Sequence, residues 1–269
     1  MNPFSSPRLL SVFLSVSFFV FGAFAIPLHG QQPTQIQVLS YNIHHANPPS
    51  KPDSIDLPAI ARVIRQSSAD LVALQEVDVH TERSGKTVHQ AESLAELTGM
   101  YAYFSSSIPF QGGEYGNAIL SRYPIQASEK IFLSTTEGTE PRALLLATIG
   151  LPNGEKVLFA ATHLDFSNPD ITARQARDII EKLKNQPIPV ILAGDFNATP
   201  GTEAINELDR HFERTCWEDC PPTIPVLLPK RTIDFIFFNR EKNVRVLHHE
   251  VIEETYASDH LPVKAVLAW

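Results

Sequence analysis

Beyond its N-terminal segment the chain alternates between short blocks of Val, Ile, Leu and Phe and longer stretches with apolar residues at helical spacing. Short apolar blocks bounded by turn residues read as buried strands. Ten are expected, at Gln35–Tyr41, Leu71–Gln75, Tyr101–Ser105, Ala118–Ser121, Ala143–Ile149, Val157–Thr162, Pro189–Ala193, Ile233–Phe238, Val244–Glu250 and Pro262–Leu267. Helices are expected at Ser54–Gln66, Val88–Leu97, Asp170–Lys184 and Thr202–Leu208. Asp170, Thr172 and Arg174 suit a helix start, and Pro58 is tolerated only inside the first turn of its helix. Helices separate the early strands, whereas Leu151-Pro152-Asn153-Gly154 has hairpin spacing. This mixture predicts an α/β sandwich with mixed sheets rather than a purely parallel doubly wound sheet. Neither an internal repeat nor a linker divides residues 35–269, so one domain is expected there.

The N-terminus follows different rules. Arg8 precedes an apolar run from Leu9 to Ala25, and Ala23-Phe24-Ala25 has the small-x-small pattern of a signal peptidase site. A signal peptide over 1–25 and a linker over 26–34 are expected, placing the domain in the periplasm or outside the cell. The competing reading is an uncleaved anchor, since the run extends to Leu28, but Pro27 interrupts it and no basic residues flank its far side. The cysteines, Cys216 and Cys220, fit one short-range disulfide in an exported protein better than a zinc site, which needs further ligands nearby. The net charge of −8 becomes more negative once Arg8 is removed, which disfavours a high-affinity duplex binder without excluding a nuclease.

Polar clusters sit at the ends of the apolar blocks. They are Ser40-Tyr41-Asn42-Ile43-His44, Leu74-Gln75-Glu76-Val77-Asp78, Tyr115-Gly116-Asn117, Thr162-His163-Leu164-Asp165, Gly194-Asp195-Phe196-Asn197, Thr232-Ile233-Asp234 and Ser258-Asp259-His260. Each alone has a plain explanation as a cap, a turn or a solvated carboxylate. Together they supply oxygen donors (Asn42, Glu76, Asp195, Asn197, Asp259), two imidazoles (His163, His260) and a carboxylate able to orient one of them (Asp234). Strand ends in α/β sheets can present such groups to one crevice. Oxygen donors without a Cys/His set favour magnesium, with manganese or calcium as alternatives, over zinc.

In this order the motifs resemble the endonuclease/exonuclease/phosphatase superfamily, whose members include pancreatic-type deoxyribonucleases, neutral sphingomyelinases and inositol polyphosphate phosphatases. The likeness runs from Ile36 to Trp269. It rests on the combination of Gly194-Asp195-Phe196-Asn197, Ser258-Asp259-His260 and Gln75-Glu76. The resemblance implies a four-layer sandwich, two mixed sheets face to face with helices outside, and a metal-dependent phosphoester hydrolase. By the same resemblance, Asn42 and Glu76 hold the metal with Asp259 nearby. Asp195 orients or activates water, and Asn197 holds that water or a phosphate oxygen. His260, steered by Asp234, acts as base or charge stabiliser, and His163 binds the phosphate. Asn117, Arg142 and Arg83 are further candidates for substrate contact, Arg142 through its planar fork. His44 and His45, beside Asn42, are assigned no role.

The expected substrate is a small or lipid-linked phosphoester, because no Lys/Arg-rich loop interleaved with aromatics marks a nucleic-acid track. An extracellular nuclease and a non-catalytic binding protein of the same fold are the alternatives. No protein partner is expected, and a monomer is.

Overall fold

The computed structural model describes Met1 and residues 33–269, so the expected signal peptide and residues 26–32 of the expected linker lie outside the described residues. Among the described residues there are twelve strands and four α-helices. The first sheet combines β1 (Gln35–Asn42), β2 (Leu71–Val79), β3 (Tyr101–Phe110), β4 (Gly113–Ser121), β11 (Arg245–Val251) and β12 (Val263–Ala268) in the order β11-β12-β1-β2-β4-β3. The second combines β5 (Ile125–Phe132), β6 (Ala143–Gly150), β7 (Lys156–His163), β8 (Val190–Asp195), β9 (Phe212–Arg214) and β10 (Asp234–Asn239) in the order β5-β6-β7-β8-β10-β9. In each sheet one central pair is parallel, β1 with β2 and β7 with β8, and the other pairs are antiparallel. The two sheets therefore repeat one pattern of parallel and antiparallel pairings, although the first takes its strands β11 and β12 from the C-terminal end of the chain.

The helices α1 (Leu57–Ser67), α2 (Gln90–Thr98), α3 (Pro169–Leu183) and α4 (Glu203–His211) cover the outer faces. Alternation along each strand builds three apolar layers. On β6, Ala143, Leu145, Ala147 and Ile149 face the first sheet, while Leu144 and Leu146 pack under α3 and α4. On β1, Ile36 and Val38 enter the inter-sheet core, while Leu39 and Tyr41 join the layer under α1 and α2. Burial on both faces is why these strands read as continuous apolar runs. The expected four-layer sandwich is therefore the fold. No helix among the described residues is long and apolar enough to cross a membrane.

All ten expected strands and four expected helices are present, with shifted ends. The Asp56 side chain accepts from the Ala59 N–H and starts α1 with Pro58 in its first turn, and Asn168 caps α3. Two strands were not expected. β5 is an edge strand exposed along most of its length and carries little apolar signal, and β9 has only three residues. The two cysteines form the expected disulfide.

Beyond the C-terminal end of β2 the chain is clamped by Asp78. This buried carboxylate accepts from Arg83 Nε and Nη2 at 2.7 and 2.9 Å, and from the hydroxyls of Thr81 and Ser84. Arg83 also lies over the rings of Phe110 and Tyr115. Burial pushes the Asp78 carboxyl up, but these hydrogen bonds and the Arg83 charge outweigh it and hold it below the usual carboxylate range. The sign of the pH effect follows. A depressed folded-state pKa stabilises the fold above the unfolded-state value, and that contribution fades as pH falls through the folded-state value. Urea melts of the Asp78→Ala variant should show a loss of about 3–5 kcal/mol near neutral pH, as when one partner of a buried pair is deleted. The deficit should shrink below about pH 4. A variant as stable as wild type at pH 7 would remove the clamp from the account.

Candidate active site

The parallel pairs decide where the polar clusters meet. In β1 and β2 the register sets Asn42 beside Gln75, and in β7 and β8 it sets His163 beside Asp195. β10 runs antiparallel to β8, so its first residue, Asp234, lies opposite Asp195. β12 runs antiparallel to β1, which brings the preceding Ser258–Pro262 segment to the same end. There the Ser258 hydroxyl donates to the Asn42 carbonyl at 2.7 Å. Gly194 makes the β7–β8 contact possible, because a Cβ at that position would run into the Thr162 carbonyl.

Two site residues depend on local departures from regular backbone. β2 carries an extra residue between Leu74 and Val77 relative to β4, and within this bulge Glu76 has φ 59°. A bulge re-aims a side chain that regular alternation would point elsewhere. Asn197 is also left-handed, φ 49°; its N–H donates to Asp195 Oδ1 at 2.9 Å and its side-chain amide to the Leu164 carbonyl at 3.0 Å. Such conformations in non-glycine residues cost roughly 1–3 kcal/mol and cluster at functional sites.

Asp195 is the hub. Its Oδ2 accepts from Asn42 Nδ2 at 3.1 Å and lies 3.5 Å from His163 Nε2 and 3.8 Å from His260 Nε2. Burial and the neighbouring Asp234 charge push its carboxyl up to about 7. The His260 ring is gripped from behind, with Nδ1 2.9 Å from Asp234 Oδ2. Burial draws the His260 pKa down, but the charge and hydrogen bond of Asp234, with Asp195 and Asp259, reverse this and push it up to about 10. Burial, Arg142 and His260 hold His163 well below the usual histidine range. One imidazolium and one neutral imidazole thus flank the same carboxylate.

The metal candidates gather on the other side. Asn42 Nδ2 also donates to Glu76 Oε1 at 3.0 Å. Ring nitrogens of His44 and His45 lie within 4.8 Å of the Glu76 carboxylate and of each other, so the oxygen-only donor set expected from sequence gains two imidazoles. Asp195, Asp234 and His260 form the second such group, and Asp259 falls in neither. The donor set fits a divalent cation: the Glu76 carboxylate and two imidazoles converge, and the buried His45 Nδ1 has no protein partner. Glu76, with Asn42 or the two imidazoles, would hold it.

The three remaining candidates behave differently. Asn117 lies opposite the Glu76 bulge and reaches across the sheets to the Ala143 carbonyl at 3.4 Å. Arg142 is buried and 3.3 Å from Glu140, and its Nε has no protein partner. Arg83 is committed to Asp78 rather than free to meet substrate. Three further residues beside the site were not among the candidates. Glu140 has its carboxyl raised by burial against the pull of Arg142, and half-buried Tyr115 stands near Glu76 and Arg83. The Thr223 hydroxyl donates to Asp234 Oδ2 at 2.6 Å. A cavity of about 520 Å³ lined by Ser128, Glu129 and Lys182 lies over the outer face of the second sheet and includes none of these residues. The charge states can be read by histidine side-chain NMR. In wild type, one ring should titrate near 10 and another should titrate well below the usual histidine range. Asp234→Asn should move the first transition down, because a negative charge is removed; an unmoved transition would place the His260 charge elsewhere.

Known proteins resemble this chain in sequence and in fold. The chain is 29% identical over 249 residues to YbhP of Escherichia coli strain K12, spanning 87% of this chain and 96% of that protein. An endonuclease/exonuclease/phosphatase from Beutenbergia cavernae superposes with a TM-score of 0.71 at 25% identity, over 87% of this chain and 71% of that one. The mannosyl-6-phosphatase Bt3783 of Bacteroides thetaiotaomicron superposes with a TM-score of 0.72 at 21% identity, over 87% and 100%. The model of the endonuclease/exonuclease/phosphatase family matches residues 39–260, from the middle of β1 to His260, and the chain belongs to that family.

Proposed function

We propose that the protein is an exported phosphoester hydrolase that directs water at phosphorus with the help of a divalent cation. Its proposed substrates are small or lipid-linked phosphoesters. The observation that carries this reading is the Asp195 carboxylate, buried and flanked by one cationic and one neutral histidine.

Each residue has a task that its surroundings support. Asp195, raised toward neutral pH and fixed by Asn42 and the Asn197 N–H, positions the attacking water and accepts its proton. His260, held by Asp234, donates to a phosphoryl oxygen as charge builds there. His163 presents a neutral ring to the same oxygens, and Arg142 adds positive charge behind it. Asn197 Oδ1 remains to hold the water. A cation bound by Glu76 and its neighbours would neutralise phosphoryl charge and stabilise the departing oxygen. The mannosyl-6-phosphatase shares the fold, which is compatible with a sugar phosphate among the small substrates. A net charge of −8 favours such substrates over duplex DNA.

A hydrolysis panel of plasmid DNA, RNA, phospholipids, sugar phosphates and a chromogenic phosphodiester, each with and without chelator, tests the reading. One class should be turned over, and chelator should abolish it. Glu76→Gln, Asp195→Asn and His260→Ala should each lower kcat at least about a hundredfold, as loss of a charge-stabilising group does. Wild-type rates in any of these variants would refute the role given to that residue. Intact-mass measurement of the exported protein should give a chain beginning at Ile26; a mass retaining Arg8 would refute cleavage.

A further inference from the structure

Between the disulfide and β10 the chain makes a narrow hairpin. Ile224 and Arg231 pair across it, with the Arg231 N–H donating to the Ile224 carbonyl at 3.0 Å and the Thr223 N–H to the Arg231 carbonyl at 2.8 Å. The hairpin is rooted on the active site. Thr223 bonds Asp234, the Val226 N–H donates to the Asp259 carbonyl at 2.9 Å, and the Leu261 N–H donates to the Thr223 carbonyl at 2.8 Å.

The tip contradicts ordinary surface chemistry. Val226 is buried, but Leu227 is 67% and Leu228 81% exposed, side by side. Single exposed leucines are commonplace, whereas adjacent ones on a protruding turn mark a contact surface. Leu228 has φ 59°, a conformation that Gly or Asn adopts at lower cost, so the turn itself gives no reason for leucine there. Pro225 and Pro229 bracket the pair and restrict its collapse onto the body. Behind it, Lys230 and Arg231 are both exposed, and Pro221–Thr232 contains no carboxylate in a chain of net charge −8. An apolar point with a cationic collar suits an interface that is apolar within and anionic at its surface. A folded protein partner would need a broad complementary face, about 800 Å² on each side, which a two-residue tip does not offer.

We propose that this hairpin docks the enzyme on lipid. Leu227 and Leu228 enter the headgroup boundary of a membrane or micelle with anionic headgroups, and Lys230 and Arg231 seat against those headgroups. Rooted on Asp234 and Asp259, the tip brings the crevice to an amphiphilic phosphoester lying in that surface. The last step rests on the hydrolase reading of the crevice; the docking does not.

Docking is measured by co-sedimentation of the protein with phosphatidylcholine vesicles, with or without phosphatidylglycerol, in chelator so that no turnover enters the result. Wild type should bind vesicles containing phosphatidylglycerol. L227N/L228N should partition at least tenfold less while melting at the same temperature. K230Q/R231Q should lose the preference for phosphatidylglycerol. Wild type left in the supernatant, or L227N/L228N bound equally, would overturn the proposal. So would a wild-type dimer that L227N/L228N dissociates without any vesicle binding, since the tip would then serve self-association. Turnover of the soluble chromogenic phosphodiester, scored separately, reports failure of the hydrolase reading independently of docking.

Discussion

Burying an ionisable carboxylate costs several kcal/mol unless donors or cations meet its oxygens, and Asp195 is buried at the junction of β7, β8 and β10. Its surroundings answer that cost from several directions. Asn42 donates from the other sheet, the Asn197 backbone donates from the following turn, and His260 contributes charge from the far end of the chain. Asp234 beside it pushes the other way, which is why the Asp195 carboxyl stays raised. The arrangement has a single negative focus whose neighbours are fixed by it and whose remaining capacity faces the crevice.

Fold and chemistry are joined through strand direction. One parallel pair per sheet, both ending at the same side of the molecule, sends the chain out of each central strand into the crevice. The antiparallel neighbours β10 and β12 then return through it, contributing Asp234 at the start of one and His260 just ahead of the other. Residues as far apart as Asn42 and His260 become neighbours without any long loop reaching across. The hairpin from Thr223 to Thr232 uses the same logic, because it grows from the segment that supports Asp234.

Much of this was legible in the amino-acid order. Strands buried on both faces announce themselves as apolar runs, so the interior of each sheet was readable; β5, exposed along most of its length, has no such pattern and was missed. The polar groups ending those runs, Asn42, Glu76, His163, Asp195, Asp234 and His260, do converge. Sequence gave less warning where a role depends on tertiary partners. Arg83 in its loop was a candidate for substrate contact, yet Asp78 holds it in two bonds. Thr223, Glu140 and Tyr115 were given no role, and His44 and His45 gained meaning only when the Glu76 bulge turned toward them.

That bulge has a cost built into the sheet. Removing one residue between Leu74 and Val77 would restore an unbroken ladder between β2 and β4 and relieve a glutamate from a left-handed backbone. The same change would swing the carboxylate out of the crevice. Stability and the proposed chemistry are therefore opposed at one peptide unit, and selection of this chain for thermal resistance alone would tend to displace the Glu76 carboxylate before it disturbed the core.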